Sequence, residues 1–397
     1  MNLKNNSKCF DVFIWYLPFC MMLKWIAMYR FFRNGVIVAL AIMGVVCAYL
    51  LSVKLEVFIK DKISKYVLLY ALYNTLMLGV SLTRGYPFSM LLSEYANCII
   101  PIAVFFISRN MTKEQSDNFE IVSLITIGIV FIVGLYYNIR LDDPYYIKFL
   151  EEANPNFSLY GFTVFPRLNA MFGSVICGTL GCFGTCISFN LLEKKKNRLF
   201  WLFLIVSILL SFFSLQRSAM VSVTIITTIL MIYAVKKQYL SIVAPVAMGV
   251  LICASIMIIQ NKYPSMWHAL FLRTNGISSA ISERSASWNN AIDNGVISTI
   301  FGYGFGTGGQ RAIGISQNTV NDGNYYKIIY DCGLVGLLLF VLLVSSSLKN
   351  HKRSFIYLIC IFSCLLQMIG SNILTFQLTA SLFWYIMGRV SNYNQII

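Results

Sequence analysis

Leu199-Phe-Trp-Leu-Phe-Leu-Ile-Val-Ser-Ile-Leu-Leu-Ser-Phe-Phe-Ser-Leu215 carries no charge, and its two ends tell what surrounds it. Glu193-Lys-Lys-Lys-Asn-Arg198 precedes it and Gln216-Arg217-Ser218 follows. A helix needs about 17 to 25 apolar residues to cross a bilayer. In lipid each backbone polar group must be paired internally, so such a run is a helix. The alternating ten-residue segments of a transmembrane β-barrel do not appear.

Comparable runs fill the chain. They lie near 12–23, 35–53, 66–82, 88–107, 121–138, 168–192, 199–215, 219–235, 240–260, 325–348, 354–373 and 376–391, which predicts about twelve spans. Of the 397 residues 58% are hydrophobic and 12% charged, against about 25% charged in a soluble protein. The fold class expected is therefore all-α, a polytopic integral membrane protein. The first run follows Lys4 and Lys8 like a signal peptide, but no small-x-small cleavage site follows it, so it reads as an uncleaved span.

A net charge of +15 would suggest nucleic acid in a soluble protein. Here much of the Lys and Arg stands in short loops between apolar runs, where it signals topology, so no nucleic-acid partner is expected. The positive-inside rule puts Glu193–Arg198, Lys236-Lys237 and Lys349–Arg353 in the cytoplasm, and both termini with them. Arg30 and Arg33 then fall outside, against the rule. Residues 1–260 hold nine spans with a shorter outer loop at 139–167. Residues 261–324 form a large outer loop, and 325–397 hold the last three spans.

The eleven cysteines are scattered, mostly within apolar runs; the 261–324 loop has none. Cys182/Cys186 and Cys360/Cys364 are one helical turn apart, with no further ligand beside them, and read as small packing residues. With His268 and His351 the only histidines, no metal site and no cofactor are expected.

Arg217 stands between two spans, at the outer side, and Ser218 is a candidate cap for the next helix. An arginine beside the free N–H groups of a helix start suits a phosphate; alternatively it snorkels to the interface. Read as an interfacial helix, 277–292 aligns Ile277, Ile281, Trp288, Ala291 and Ile292, with Arg284 on the same stripe. An arginine on an apolar stripe faces a buried partner, an anion or an acidic residue of another segment. The run Phe301-Gly-Tyr-Gly-Phe-Gly-Thr-Gly-Gly309 lacks the features of a nucleotide-binding loop and reads as a flexible turn with aromatic knobs, followed at once by Arg311.

Asp322 ends the loop at the membrane. Desolvation there would favour a general base; the competing reading is a helix cap. Asp331 falls inside the span, with an arginine as a candidate partner. Glu94 reads as a buried, hydrogen-bonded carboxylate or a proton-path residue, and His268 as interfacial. The outer loop 139–167, with Tyr145, Tyr146, Tyr160 and Arg167, suits sugars or serves as an interfacial belt.

Taken together, these stretches resemble the O-antigen polymerase and ligase superfamily of bacterial envelope enzymes, the Wzy/WaaL group. Ser214-Leu-Gln-Arg217-Ser218 is similar to its Ser-x-x-Arg segment. Glu283-Arg284 through Trp288 and then Ile300-Phe-Gly-Tyr-Gly-Phe-Gly306 resemble its arginine helix and glycine–aromatic turn. Asp322 through Gly333-Leu-Val-Gly336 resembles its His-Asn…Gly-Leu-Ile-Gly segment, and Ser381–Gly388 its closing helix. Asp322 replaces the ligase histidine and Gly323 the asparagine, which favours a repeat-unit polymerase.

The resemblance implies a GT-C-like fold whose long outer, periplasmic loop contains an interfacial helix. It implies polymerisation of undecaprenyl-pyrophosphate-linked oligosaccharides, as donor and acceptor, at the outer face of the inner membrane, without metal and with inversion. Arg217 and Arg284 would hold the leaving pyrophosphate and Asp322 would take the hydroxyl proton. Arg311, Arg167, Tyr303 and Tyr325 join the substrate-binding set. Membrane lipid and a chain-length regulator are further candidate partners. The competing readings are a ligase of the same superfamily and a polytopic transporter or flippase.

Overall fold

The computed structural model describes residues 11, 13–26, 62–139, 168, 172–195, 197, 199–238, 257, 260, 261, 285, 288, 289, 295–316, 318–320, 322–348 and 355–391. These are helices joined by turns, with no strand among the described residues. The expected spans at 35–53 and, apart from isolated residues, 240–260 lie outside this set. So do the outer loop at 140–167 and nearly all of the 277–292 helix.

Among the described residues, six helical segments are long and apolar enough to cross a membrane: Lys62–Thr83, Phe88–Asn110, Lys113–Tyr137, Ser174–Lys195, Arg217–Lys236 and Asn324–Leu348. Leu199–Phe213 and Phe355–Gly370 are shorter apolar helices. Large apolar side chains such as Leu72, Leu76, Ile132, Leu202, Ile232 and Leu338 are exposed along these helices. Apolar exteriors of this extent belong to a membrane protein.

The chain divides into two compact units, Met1–Thr126 with Ser285–Ile397, and Ile127–Arg284. The first contains α1 (Tyr16–Ile26), α2 (Lys62–Thr83), α3 (Phe88–Cys98), α4 (Ala103–Asn110) and the start of α5 (Lys113–Ile139). Pro101, without an N–H to donate, lies in the 3-10 turn Ile100–Ile102 between α3 and α4.

The second unit is built on α6 (Ser174–Lys195), α7 (Leu199–Phe213) and α8 (Arg217–Lys236). Gly178, Gly181 and Gly184 recur at intervals of three on α6 and meet Ser207, Ser211 and Ser214. A Cβ on Gly181 would stand 2.5 Å from the Ser207 carbonyl oxygen, so the backbones touch only because the side chain is missing. Lipid-embedded helices associate through close contact of this kind, because lipid tails are as apolar as the side chains they replace. Cys182 is buried and its thiol donates to the Ala219 carbonyl, as a packing residue does. The cap before α8 is Gln216, in extended conformation, rather than Ser218; the Gln216 N–H is held by Ser214 Oγ at 3.2 Å.

The first unit continues with α9 (Val296–Phe301), α10 (Asn324–Leu348), α11 (Phe355–Gly370) and α12 (Gln377–Ser391). Near the end of α12, Gly388 lies against the backbone of Phe105 and Arg109 on α4. Arg389 donates to the carbonyls of Ser108 and Met111. Buried Glu120 accepts from Tyr357 and Tyr385, so this end of the unit is closed by a polar network with hydrogen-bond partners. Asp322 and the glycine run lie at the other end.

Candidate functional site

The site is organised by a break in α10. Gly333 has φ +67°, which departs from the helix and suits glycine. The break leaves the carbonyls of Tyr330 and Asp331 open to accept from elsewhere. Tyr303 N–H donates to Tyr330 at 2.7 Å and Gly304 N–H to Asp331 at 3.1 Å. Interrupted backbone at membrane depth is tolerated only where protein satisfies it in this way.

The glycine run is therefore not the flexible turn expected. Gly302, Gly304, Gly306, Gly308 and Gly309 are all buried. A Cβ on Gly302 would lie 2.5 Å from the Asp331 carbonyl oxygen, and Gly302 holds φ +101°. Phe305 N–H donates to Met77 at 3.1 Å, and Ser81 Oγ returns a 2.8 Å bond to the Phe305 carbonyl. The glycines allow the loop to press into α2 and the broken α10.

Behind the loop lies a buried ionic cluster. Lys327 Nζ is 2.5 Å from Asp331 Oδ2, one turn along α10, and 3.2 Å from Glu94 Oε1 on α3. Asp331 thus pairs with a lysine rather than with the candidate arginine. Its other oxygen accepts the Gly308 N–H at 2.8 Å. Glu94 also accepts from the Cys98 thiol and has Arg311 at 3.7 Å on its outer side. A cavity of about 30 Å³ adjoins the cluster, lined in part by Asn74, Asn324, Lys327, Asp331 and Thr375. It has room for a water among polar partners. Glu94 is buried and hydrogen-bonded, as expected; Lys327 is not among the expected site residues, although a lysine four residues before an aspartate inside a span is its sequence signal.

Asp322 is half-buried and lies just before α10, which starts at Asn324, so Gly323 stands at the capping position. Trp288 donates its indole N–H to the Asp322 carbonyl at 2.8 Å and stacks on Tyr326, ring centroids 4.4 Å apart and 4° from parallel. Tyr303 lies 5.4 Å from Tyr330, and the Arg84 guanidinium covers the Tyr303 ring at 3.9 Å. Arg84 was not among the expected site residues. Tyr325 is tied elsewhere: its hydroxyl donates to the Leu365 carbonyl of α11 at 2.8 Å.

Arg217 is exposed at the first turn of α8 in the second unit, at the end remote from Lys194 and Lys195. Arg284 and Arg167 lie outside the described residues. Arg311 is part of the site, on a 3-10 turn that follows the glycine run directly.

Compared with protein-family models and with curated proteins, the chain matches none.

Proposed function

We propose that the protein is a membrane-embedded glycosyltransferase that polymerises undecaprenyl-pyrophosphate-linked oligosaccharide repeats at the outer face of the inner membrane. One observation carries the reading. Three stretches that resemble envelope polymerases separately come together at one end of the first unit: Trp288, the glycine run, and Asp322 to Gly336. On this reading the acceptor hydroxyl oxygen bonds to the anomeric carbon of the donor chain. The bond from that carbon to the pyrophosphate oxygen breaks, and the lipid pyrophosphate leaves. Asp322 takes the hydroxyl proton. Arg217 and Arg284, assigned on resemblance, stabilise charge on the leaving group, the role that fixed cations fill well in a site closed to water. Stacked rings beside Asp322 suit the flat faces of sugars. About twelve spans, a GT-C-like arrangement and cytoplasmic termini belong to the same proposal.

The test is complementation of a polymerase-null strain, read as the length ladder of extracted polysaccharide. Wild type restores the ladder; Arg217→Ala and Arg284→Ala leave single-repeat product at normal protein level. A full ladder from both variants removes the pyrophosphate assignment. Equal, wild-type ladders from Asp322→Asn and Asp322→Glu remove the base.

A second reading has its own support. A broken helix beside the buried charges Glu94, Lys327 and Asp331 is also how transporters bind ions or substrates. Lipid-linked repeats that accumulate on the cytoplasmic side in the null strain, rather than single repeats delivered to the surface, would favour it.

A further inference from the structure

Arg84 has no role in the mechanism above, and its setting is unusual. It lies in the turn between α2 and α3, exposed, with its guanidinium 3.9 Å above the centre of the Tyr303 ring. No carboxylate among the described residues pairs with it. Stacking fixes the plane of a guanidinium and leaves its N–H edge available, which is the fork that matches phosphate oxygens. Tyr303 is itself fixed, by its bond to the broken helix and its contact with Tyr330. Arg84 is thus held ready with its recognition edge unused.

Arg311 stands at the far end of the same loop, half-exposed, with a 3.7 Å contact to Glu94. The turns that carry the two cations pack together, with Tyr86 against the Met90, Leu91 and Ala312 cluster. The hydroxyls of Tyr86 and Tyr330 each lie 3.4 Å from Ser316 Oγ, which joins the turn after Arg311 to the segment that carries Arg84. The same region exposes large apolar side chains: Phe88 (61%), Ile297 (77%), Phe301 (52%), Ile313 (58%) and Ile315 (52%). Cations inside an apolar collar complement an anionic head on an apolar tail, and two arginines suit two phosphoryl groups.

We propose that Arg84 and Arg311 bind the diphosphate of a single-chain lipid diphosphate whose tail lies along this collar. The site rests on the membrane glycosyltransferase reading and deepens it. It assigns a carrier-lipid site to the first unit, built on an arginine outside the stretches that resemble the polymerases.

The full-length protein in phosphatidylcholine nanodiscs is titrated with radiolabelled farnesyl diphosphate. Arg84→Ala weakens binding about tenfold or more with an unchanged melting curve, since the side chain is exposed. Arg84→Lys recovers part of the loss, because an ammonium keeps the charge without the fork. Farnesol binds both forms alike. Equal farnesyl diphosphate binding by wild type and Arg84→Ala overturns the proposal. Competition by inorganic pyrophosphate as strong as by farnesyl diphosphate overturns the lipid assignment, and equal displacement by phosphatidylglycerol overturns its selectivity. Complementation separates this site from the broader reading. A wild-type ladder with Arg84-independent binding removes the site alone; Arg84-dependent binding without any wild-type ladder removes the polymerase and keeps the site.

Discussion

Lys327 Nζ stands 3.2 Å from Glu94 Oε1 and 2.5 Å from Asp331 Oδ2, so one buried ammonium joins α3 to the turn of α10 that precedes its break. All three side chains are nearly fully buried. Removing one member of such a group strands the opposite charge, at a cost of about 3–5 kcal/mol. Lys327→Met should therefore lower unfolding stability in detergent by that order. Adding Glu94→Gln and Asp331→Asn should recover much of it. Neutral amides remove the unpaired charge, and the amide oxygen introduced by Asp331→Asn can still accept the Gly308 N–H. Arg311→Ala should cost about 1 kcal/mol or less, because its contact is long and half-exposed. Thermal melts of the four forms check the order.

The glycine run offers a sharper contrast. Gly302→Ala places a methyl 2.5 Å from the Asp331 carbonyl oxygen at φ +101°. Overpacking and backbone strain together predict a loss of about 3 kcal/mol. Gly79→Ala, on α2 with nothing within 4 Å of the new methyl, should change stability by about 1 kcal/mol or less, toward greater stability. Equal melting temperatures for the two variants would contradict a close-packed loop.

In the second unit, Gly181→Ala sets a methyl against the backbone of α7, 2.5 Å from the Ser207 carbonyl oxygen. The helices must separate, and a loss of about 1–3 kcal/mol follows. A melt that matches wild type would show that the glycine stripe does not set this contact.

Trp288 can be dissected by size. Trp288→Phe keeps a ring against Tyr326 and loses the 2.8 Å bond to the Asp322 carbonyl, worth about 1 kcal/mol. Trp288→Ala loses both. If this contact positions Asp322 for catalysis, ladder length should fall in the order wild type, Phe, Ala at equal protein level.

The proposed sidedness has a direct labelling test. Arg311→Cys should react with an impermeant maleimide on spheroplasts, and Lys194→Cys only after the membrane is opened. The described native cysteines are buried or half-buried, which keeps their background low. Labelling of Lys194→Cys on sealed spheroplasts would invert the topology.

The sequence alone established the solvent and the helices. Hydropathy is a local property: seventeen uncharged residues from Leu199 to Leu215 require a helix whatever they pack against. It also marked Glu94 as a buried carboxylate, and it singled out the separate stretches that hold Trp288, the glycine run and Asp322. The tertiary structure decided which of them meet. Ser81 and Phe305, bonded at 2.8 Å, are 224 residues apart. The partner of Asp331 was within reach of the sequence, one turn away at Lys327, yet its link to Glu94 required α3 to pack beside α10. Arg84 carried no expectation from the sequence, and only the fold brings Tyr303 beneath it. These pairings depend on Gly333. Its break redirects two helix carbonyls toward a distant loop, and hydrogen bonds released in this way find partners only once the chain has folded.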